Sequence, residues 1–231
     1  MDAHEELPRR DGVKDRDREP RVIDVEGWSR RRQFELFQSF GFPYFSLTSS
    51  VDVAPLRALL KRKGISFTIG WIHTLAGAAN AVPALRQRMR EDKVIEHETV
   101  HPSTTILTDD EQFSFCNLPY DENLDTFARE AEGRIGEARR SASLFVEPDR
   151  DDFLFMTAIP WIPFTAFVHP APLDPPDYVP RFAWGRFEEQ GDRIVLPLNI
   201  QAHHGLVDGI HVARFYERVL ERIAGAKELS V

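Results

Sequence analysis

Apolar and polar positions change period several times along the chain, and each change predicts an element. The run Arg193-Ile194-Val195-Leu196-Pro197-Leu198-Asn199-Ile200-Gln201 alternates over part of its length and carries β-branched Ile and Val, which predicts a half-buried strand. From Gly209 onward, Val212, Phe215, Tyr216, Val219, Leu220 and Ile223 recur at helical spacing, and Gly225 follows where a C-terminal cap is expected. Upstream, the pattern predicts a helix over residues 28–40, a strand over 45–51, and a helix capped by Asp52 that ends near Gly64. Residues 65–81 read as a nearly all-round apolar helix, hence deeply buried, that Pro83 stops. Residues 85–90, 94–98, 104–107 and 112–117 read as antiparallel strands joined by acidic turns at Glu91-Asp92 and Asp109-Asp110. A long polar helix over about 122–140, three further strands and the terminal helix complete the chain. Residues 1–21 are dense in charge with almost no apolar content, which predicts a disordered N-terminal arm ahead of one domain over 22–231.

Composition narrows the classes. A chain of 231 residues, 42% hydrophobic and 11% aromatic, is enough for one substantial core. The net charge of −8 disfavours nucleic acid as a partner, because phosphate contacts need a concentrated basic patch. The single cysteine, Cys116, makes no intrachain disulfide, so nothing calls for an oxidising compartment. Neither an 18-residue apolar run nor a signal-peptide core is visible, so the expectation is a soluble cytoplasmic protein with no membrane partner.

Chemistry concentrates near the end, in Gln201-Ala202-His203-His204-Gly205-Leu206-Val207-Asp208-Gly209 followed by Ile210-His211-Val212-Ala213-Arg214-Phe215. The histidines fall in the loop between a predicted strand and a predicted helix, where a rigid scaffold commonly holds reactive groups. A neutral imidazole there can take a proton from a hydroxyl, since its ordinary pKa of roughly 6.5 lies near working pH. Asp208 needs a cationic partner or backbone donors and is expected to fix the loop. Gly209 is expected to supply backbone freedom closed to other residues.

The whole run, His-His-x-x-x-Asp-Gly and then x-His-Val-Ala-Arg-Phe, resembles the signature of the type A chloramphenicol acetyltransferases. The likeness extends to Trp28-Ser29-Arg30-Arg31-Arg32-Gln33-Phe34, to Phe45-Ser46-Leu47-Thr48-Ser49-Ser50-Val51-Asp52, to Thr157-Ala158-Ile159-Pro160-Trp161 and to Gln190-Gly191-Asp192-Arg193, in collinear order over roughly residues 24 to 223. The resemblance implies an α/β (α+β) coenzyme A-dependent acyltransferase fold: one mixed, mostly antiparallel sheet with helices on one face. It implies acetyl-CoA as co-substrate, no metal, a small hydroxyl compound as acceptor, and a homotrimer with each active site at a subunit boundary. Carried over by position, His204 is the general base, Asp208 and Arg30 the ion pair that holds its loop, and Thr157 the hydroxyl that stabilises the tetrahedral oxyanion. Phe37, Tyr44, Phe45, Leu107, Phe167 and Arg181 fall on acceptor-lining positions. Trp161, Arg186 and Phe187 fall where coenzyme A is held.

The chain also departs from that family. A second hydroxyl position falls on Ala183, and an apolar pocket position on Arg181, which, read functionally, favours an acceptor bearing a carboxylate or phosphate and otherwise is a solvated strand residue. Five prolines between Pro170 and Pro180 predict a rigid extended loop, and residues 144–152 are more acidic than the family's. Chloramphenicol, another natural-product acceptor, and a non-catalytic small-molecule binder are therefore the readings carried forward. A dihydrolipoamide acyltransferase core normally has Asp-His-Arg at the motif, and a condensation domain is about twice this length, so neither fits.

Overall fold

Strand β10 (Arg193–His203) organises the molecule, and its alternation is the reason. Leu196, Leu198, Ile200 and Ala202 point to one side and join the core, while Asn199, Gln201 and His203 point to the other and are also buried. A computed structural model of the chain describes residues 19–140, 143–144, 147 and 150–228, and every statement below concerns those residues. The elements that precede β10 are β1 (Arg21–Ile23), α1 (Arg31–Gln38), β2 (Tyr44–Asp52), α2 (Ala54–Lys63), α3 (Phe67–Asn80), a 3-10 turn (Pro83–Arg86), β3 (Gln87–Arg90), β4 (Lys93–Glu96), β5 (His101–Leu107), β6 (Phe113–Asn117), α4 (Leu124–Arg140), β7 (Phe153–Ile159), β8 (Arg181–Gly185) and β9 (Glu188–Gln190); α5 (Gly209–Glu228) follows. The large sheet runs β2-β10-β8-β7-β5-β6, with β9 beside the start of β10. Only β8–β7 and β7–β5 are parallel, so the sheet is mixed and mostly antiparallel.

The helices pack on one face of this sheet. Trp71, Ile72 and Leu75 of α3, Phe127 of α4 and Phe215 of α5 are essentially inaccessible and meet the inward residues of β10, β8 and β7. The opposite face has no helix. The chain between β7 and β8 lies across half of it, fastened by buried polar side chains from below. Asn199 Nδ2 donates to Phe167 O, Gln201 exchanges hydrogen bonds with the backbone of His169, and the Tyr44 hydroxyl donates to Pro172 O and accepts from Asp177 N. These amides would be costly to bury without such partners. The proline-rich segment is not extended throughout: it doubles back at a bridge between Leu173 and Pro176.

Several sequence expectations need correction. The strands over 85–90 and 94–98 do not join the large sheet; β3 and β4 pair with each other and β4 pairs with β1, forming a separate three-stranded sheet. Arg88, 1% exposed, explains the placement, because its guanidinium donates to the carbonyls of Leu85, Gln87, Asp151 and Phe153 and so pins this small sheet to the start of β7. Arg21, assigned to the arm, is already in β1; residues 1–18 of that arm and residues 145, 146, 148 and 149 of the acidic stretch lie outside the described residues. Helix α1 starts at Arg31 rather than at Trp28, with Arg30 at its cap. Gly225 sits inside α5 rather than ending it. Gly64 ends α2 in the left-handed region at φ 68°, as a C-terminal glycine does.

Candidate active site

The loop after β10 is held at both ends. His204 N donates to Pro43 O at 2.7 Å, and Leu206 N and Val207 N both reach His203 O at 3.0 Å. His203, 2% exposed, accepts the Gly205 N–H on its Nδ1 and packs between the rings of Tyr44 and Tyr178; burial holds its imidazole down to about 4, so it is neutral at working pH. A Cβ on Gly205 would stand 3.0 Å from His203 Nδ1 and 3.4 Å from a Phe34 ring carbon. Gly205 is therefore the glycine of this loop with close neighbours, where a side chain would press on the His203 ring by a few tenths of an ångström. Gly209, expected to have that role, has ordinary backbone and open space around it.

The His204 ring lies flat on Phe37, with centroids 4.1 Å apart and planes 9° from parallel, and touches Phe45 at 4.7 Å. Its Nδ1 is 3.1 Å from Val207 O and 3.2 Å from Asp208 Oδ1. Both neighbours are acceptors, so Nδ1 carries the hydrogen and the lone pair is left on Nε2. Tyr44, by contrast, is buried with its hydroxyl fully engaged by the loop between β7 and β8, and faces His203 rather than His204.

Arg30 ties the loop together. One guanidinium nitrogen pairs with Asp208 Oδ2, and the other donates to Asp208 Oδ1, His204 O and Gly205 O, each at 3.2 Å. Burial works against the charge of Asp208, but Arg30, with help from His204 and His211, overcomes it and holds the carboxyl below the usual carboxylate range. His211, left without a role in the sequence reading, accepts the Asp208 N–H on Nδ1 and so closes the first turn of α5. Its position three residues after Asp208 was the available signal, since that is the spacing of reciprocal helix caps.

Thr157 lies elsewhere. Its hydroxyl is 2.8 Å from that of Thr105 on the adjacent strand, and both line a cavity of about 570 Å³ on the helix-free face, walled largely by Phe113, Phe115, Phe155 and Phe167. Arg181 also lines this cavity. It is 6% exposed, pairs with Asp177, donates to Val179 O and lies over the Phe155 ring, so it is neither a solvated strand residue nor a free cation. Its partner, Asp177, was missed, although the i,i+4 spacing was readable. Leu107 is half exposed at the end of β5 and does not line the cavity. Ala183 is fully buried beside Thr157 on β8.

His204 and Thr157 do not meet within one chain. Thr157, Ala183 and Asn199 form one row across β7, β8 and β10, while His204 comes five residues beyond Asn199. At about 3.3 Å per residue and 4.8 Å per strand, their backbones are roughly 20 Å apart.

Comparison with known proteins bears on this arrangement. A family model described as chloramphenicol acetyltransferase matches residues 20–220. The chain belongs to the chloramphenicol acetyltransferase family. It is 31% identical over 203 residues to chloramphenicol acetyltransferase 3 of Escherichia coli, covering 86% of this chain and 94% of that one. A solved chloramphenicol acetyltransferase superposes with a TM-score of 0.82 at 26% identity, over 89% of this chain and all of the other. A probable dihydrolipoamide acetyltransferase from Listeria monocytogenes, 16% identical, shares the fold alone, with a TM-score of 0.61 over 91% of this chain and 96% of that one. The protein is thus an acyltransferase with a coenzyme A-dependent acyltransferase fold. The matched span contains every residue of both clusters. The three positions that the resemblance assigns to coenzyme A fall together only in part. Trp161 is exposed just after β7, and Arg186 donates to its carbonyl at 3.2 Å, whereas Phe187 packs on the helix side against Phe67 and under the Arg57 guanidinium. No helix among the described residues is long and apolar enough to cross a membrane.

Proposed function

We propose that the protein transfers the acetyl group of acetyl-CoA to a hydroxyl of chloramphenicol or a related small molecule. The observation that carries the reading is the hydrogen-bonding state of His204: two acceptors at Nδ1 and an unoccupied lone pair at Nε2. That nitrogen takes the proton as the acceptor oxygen attacks the thioester carbonyl, a contribution of about 10² to 10⁴ in rate. The carbonyl oxygen becomes an oxyanion and accepts a hydrogen bond from Thr157, whose own oxygen accepts from Thr105. One such donor lowers the barrier by about 3 to 4 kcal/mol. Collapse of the tetrahedral species breaks the carbon–sulfur bond, and the departing thiolate takes the proton back from His204. The Arg30–Asp208 pair positions the base and touches no substrate. Trp161, Arg186 and Phe187 are assigned to coenzyme A, and the 570 Å³ cavity to the acceptor.

Because His204 and Thr157 lie on separate surfaces of one chain, the working site is composite: the cavity of one subunit meets His204, Phe37 and Phe45 of the next, in a homotrimer acting in the cytoplasm. Acceptance of chloramphenicol would make the protein a determinant of resistance to it. The test is release of free coenzyme A from acetyl-CoA on adding chloramphenicol or a panel of hydroxylated metabolites. Acceptor-dependent release is expected. Binding of the acceptor with no release from any panel member would instead support a non-catalytic binder, the reading that Ala183 favours.

A further inference from the structure

A second cavity, of about 260 Å³, lies behind the loop that carries His204 and takes no part in the reaction as written. Its walls are residues 28–30 ahead of α1, residues 81–84 after α3, Gln87 of β3 and one stripe of α5. The stripe is His211, Arg214 and Arg218, which recur at i, i+3 and i+7 and so share a helix face. Neither His204 nor any residue assigned above to coenzyme A or to the acceptor is in the lining. The cavity is also smaller than the roughly 300 to 1,000 Å³ of sites for drug-sized ligands, so an occupant has to be small.

Its charge is one-sided. In a chain of net charge −8, the lining holds three arginines and no carboxylate. Arg30 is fully occupied, on Asp208 and on the carbonyls of His204 and Gly205. Arg218 reaches Glu221, but both side chains are more than half exposed, and such a pair is weak. Arg214 has no ion pair or hydrogen bond among the described residues. His211 adds a neutral donor: its Nδ1 accepts the Asp208 N–H at 2.9 Å, so Nε2 carries the hydrogen, and that nitrogen is not sealed from solvent as Nε2 of His169 and of His203 are. Burial, then Arg30, lowers the pKa of His211 against the pull of Asp208, and Arg214 adds to the lowering, so its charge is felt at this ring.

We propose that this cavity is a second ligand site, for a small phosphate monoester. The phosphate lies against Arg214, Arg218 and the His211 Nε2–H, with the Ser29 hydroxyl as a further donor, and the ester group lies against Trp28 and Pro83. Two guanidiniums, an imidazole N–H and a hydroxyl offer more donors than the two oxygens of a carboxylate can use. A phosphate monoester brings three strong acceptor oxygens and a charge of about −1.5 to −2 at pH 7, and a guanidinium grips such oxygens two at a time. The site stands independently of the acetyl-transfer reading, since no residue of that reaction binds the ligand.

The experiment follows the unfolding midpoint of the full-length protein, at pH 7.5 and fixed ionic strength, as phenyl phosphate, inorganic phosphate or benzoate is added. Phenyl phosphate should raise the midpoint along a saturating curve, because a ligand bound only by the folded chain stabilises it by mass action. Inorganic phosphate, without the ester group, should need a higher concentration, and benzoate at least about tenfold more than phenyl phosphate, for want of the third oxygen and the second charge. Arg214→Gln should raise the half-saturating concentration of phenyl phosphate about tenfold, the loss of one charge-assisted hydrogen bond, with the midpoint in its absence unchanged. Arg139→Gln, at an exposed position on α4, should leave that concentration where it was. Acetyl-CoA, which carries phosphates of its own, should bind Arg214→Gln as it binds the unaltered protein. A rise that does not saturate, or an equal change in the two variants, would show general screening of the surface and overturn the site. Loss of acetyl-CoA binding together with that of phenyl phosphate in Arg214→Gln would make the cavity part of the coenzyme's site and overturn it equally.

Discussion

The loop that carries His204 and the cavity proposed for the acceptor are built in opposite ways. Residues 203–211 are tied mainly to close neighbours in sequence: Leu206 and Val207 to His203, His204 to Val207, Gly205 to His203, Asp208 to His211. Two long-range ties, from Arg30 and from Pro43 O, lock the whole onto the sheet. The cavity has no such local logic. Thr105, Thr157, Arg181 and His169 come from three strands and a loop, and only the sheet register makes them neighbours. Local closure preserves a chemical group through change elsewhere, whereas a wall assembled by register changes with each strand residue and can be retuned for a new acceptor.

Breaking the base should have the largest effect. His204→Ala should cut turnover by about 10³, within the range for loss of a general base, while circular dichroism and acetyl-CoA binding stay close to those of the unaltered protein. A variant keeping a tenth of the rate would remove His204 from the mechanism. On the cavity side, Thr157→Ala should lose about 10² in kcat and Thr157→Ser far less, because serine retains the donor. Equal losses in the two variants would point to packing rather than to the hydroxyl.

How much could be read from the sequence follows the same division. The placement of His204 and Asp208 between a strand and a helix was legible in the nine-residue run itself, whereas the pairing of Asp208 with Arg30, far away in sequence, came only from the resemblance. The alternation in β10 likewise revealed the central strand. The separate three-stranded sheet was not legible, since β3 and β4 alternate like any edge hairpin and only the buried Arg88 decides where they dock. Arg181 was misjudged as free because the turn that brings Asp177 against it depends on how the loop crosses Asn199 and Gln201. Gly209 was preferred over Gly205 because the close approach of Gly205 is to a ring from an adjacent residue and to Phe34, which sequence spacing does not reveal.

The tie between the regions' supports can be weakened more gently. The Arg30–Asp208 pair is part-buried, with side chains 13% and 31% exposed, so Arg30→Ala should cost about 2 kcal/mol, below the 3 to 5 typical of a fully buried pair. Thermal unfolding measures it; a loss in kcat with no loss in stability would mean that Arg30 acts on the substrate. The smallest effect is in pH. His203 and His169 are held near 4 when folded, against roughly 6.5 unfolded, so the unfolded chain binds more protons between those values. Their contribution to stability is present above about 6.5 and is lost as pH falls towards 4, so unfolding midpoints should drop through that window. His203→Phe should flatten the drop, and an unaltered slope would show that other groups carry it.

The composite site is the claim on which the rest of the account depends, and mixed oligomers test it directly. Subunits carrying only His204→Ala and subunits carrying only Thr157→Ala should each be nearly inactive alone. Co-expressed at equal amounts, they should recover about a quarter of the unaltered activity, since a head-to-tail trimer pairs an intact His204 with an intact Thr157 at about one boundary in four. Mixed oligomers that form but show no recovery would place both groups in the same chain's site and contradict the account.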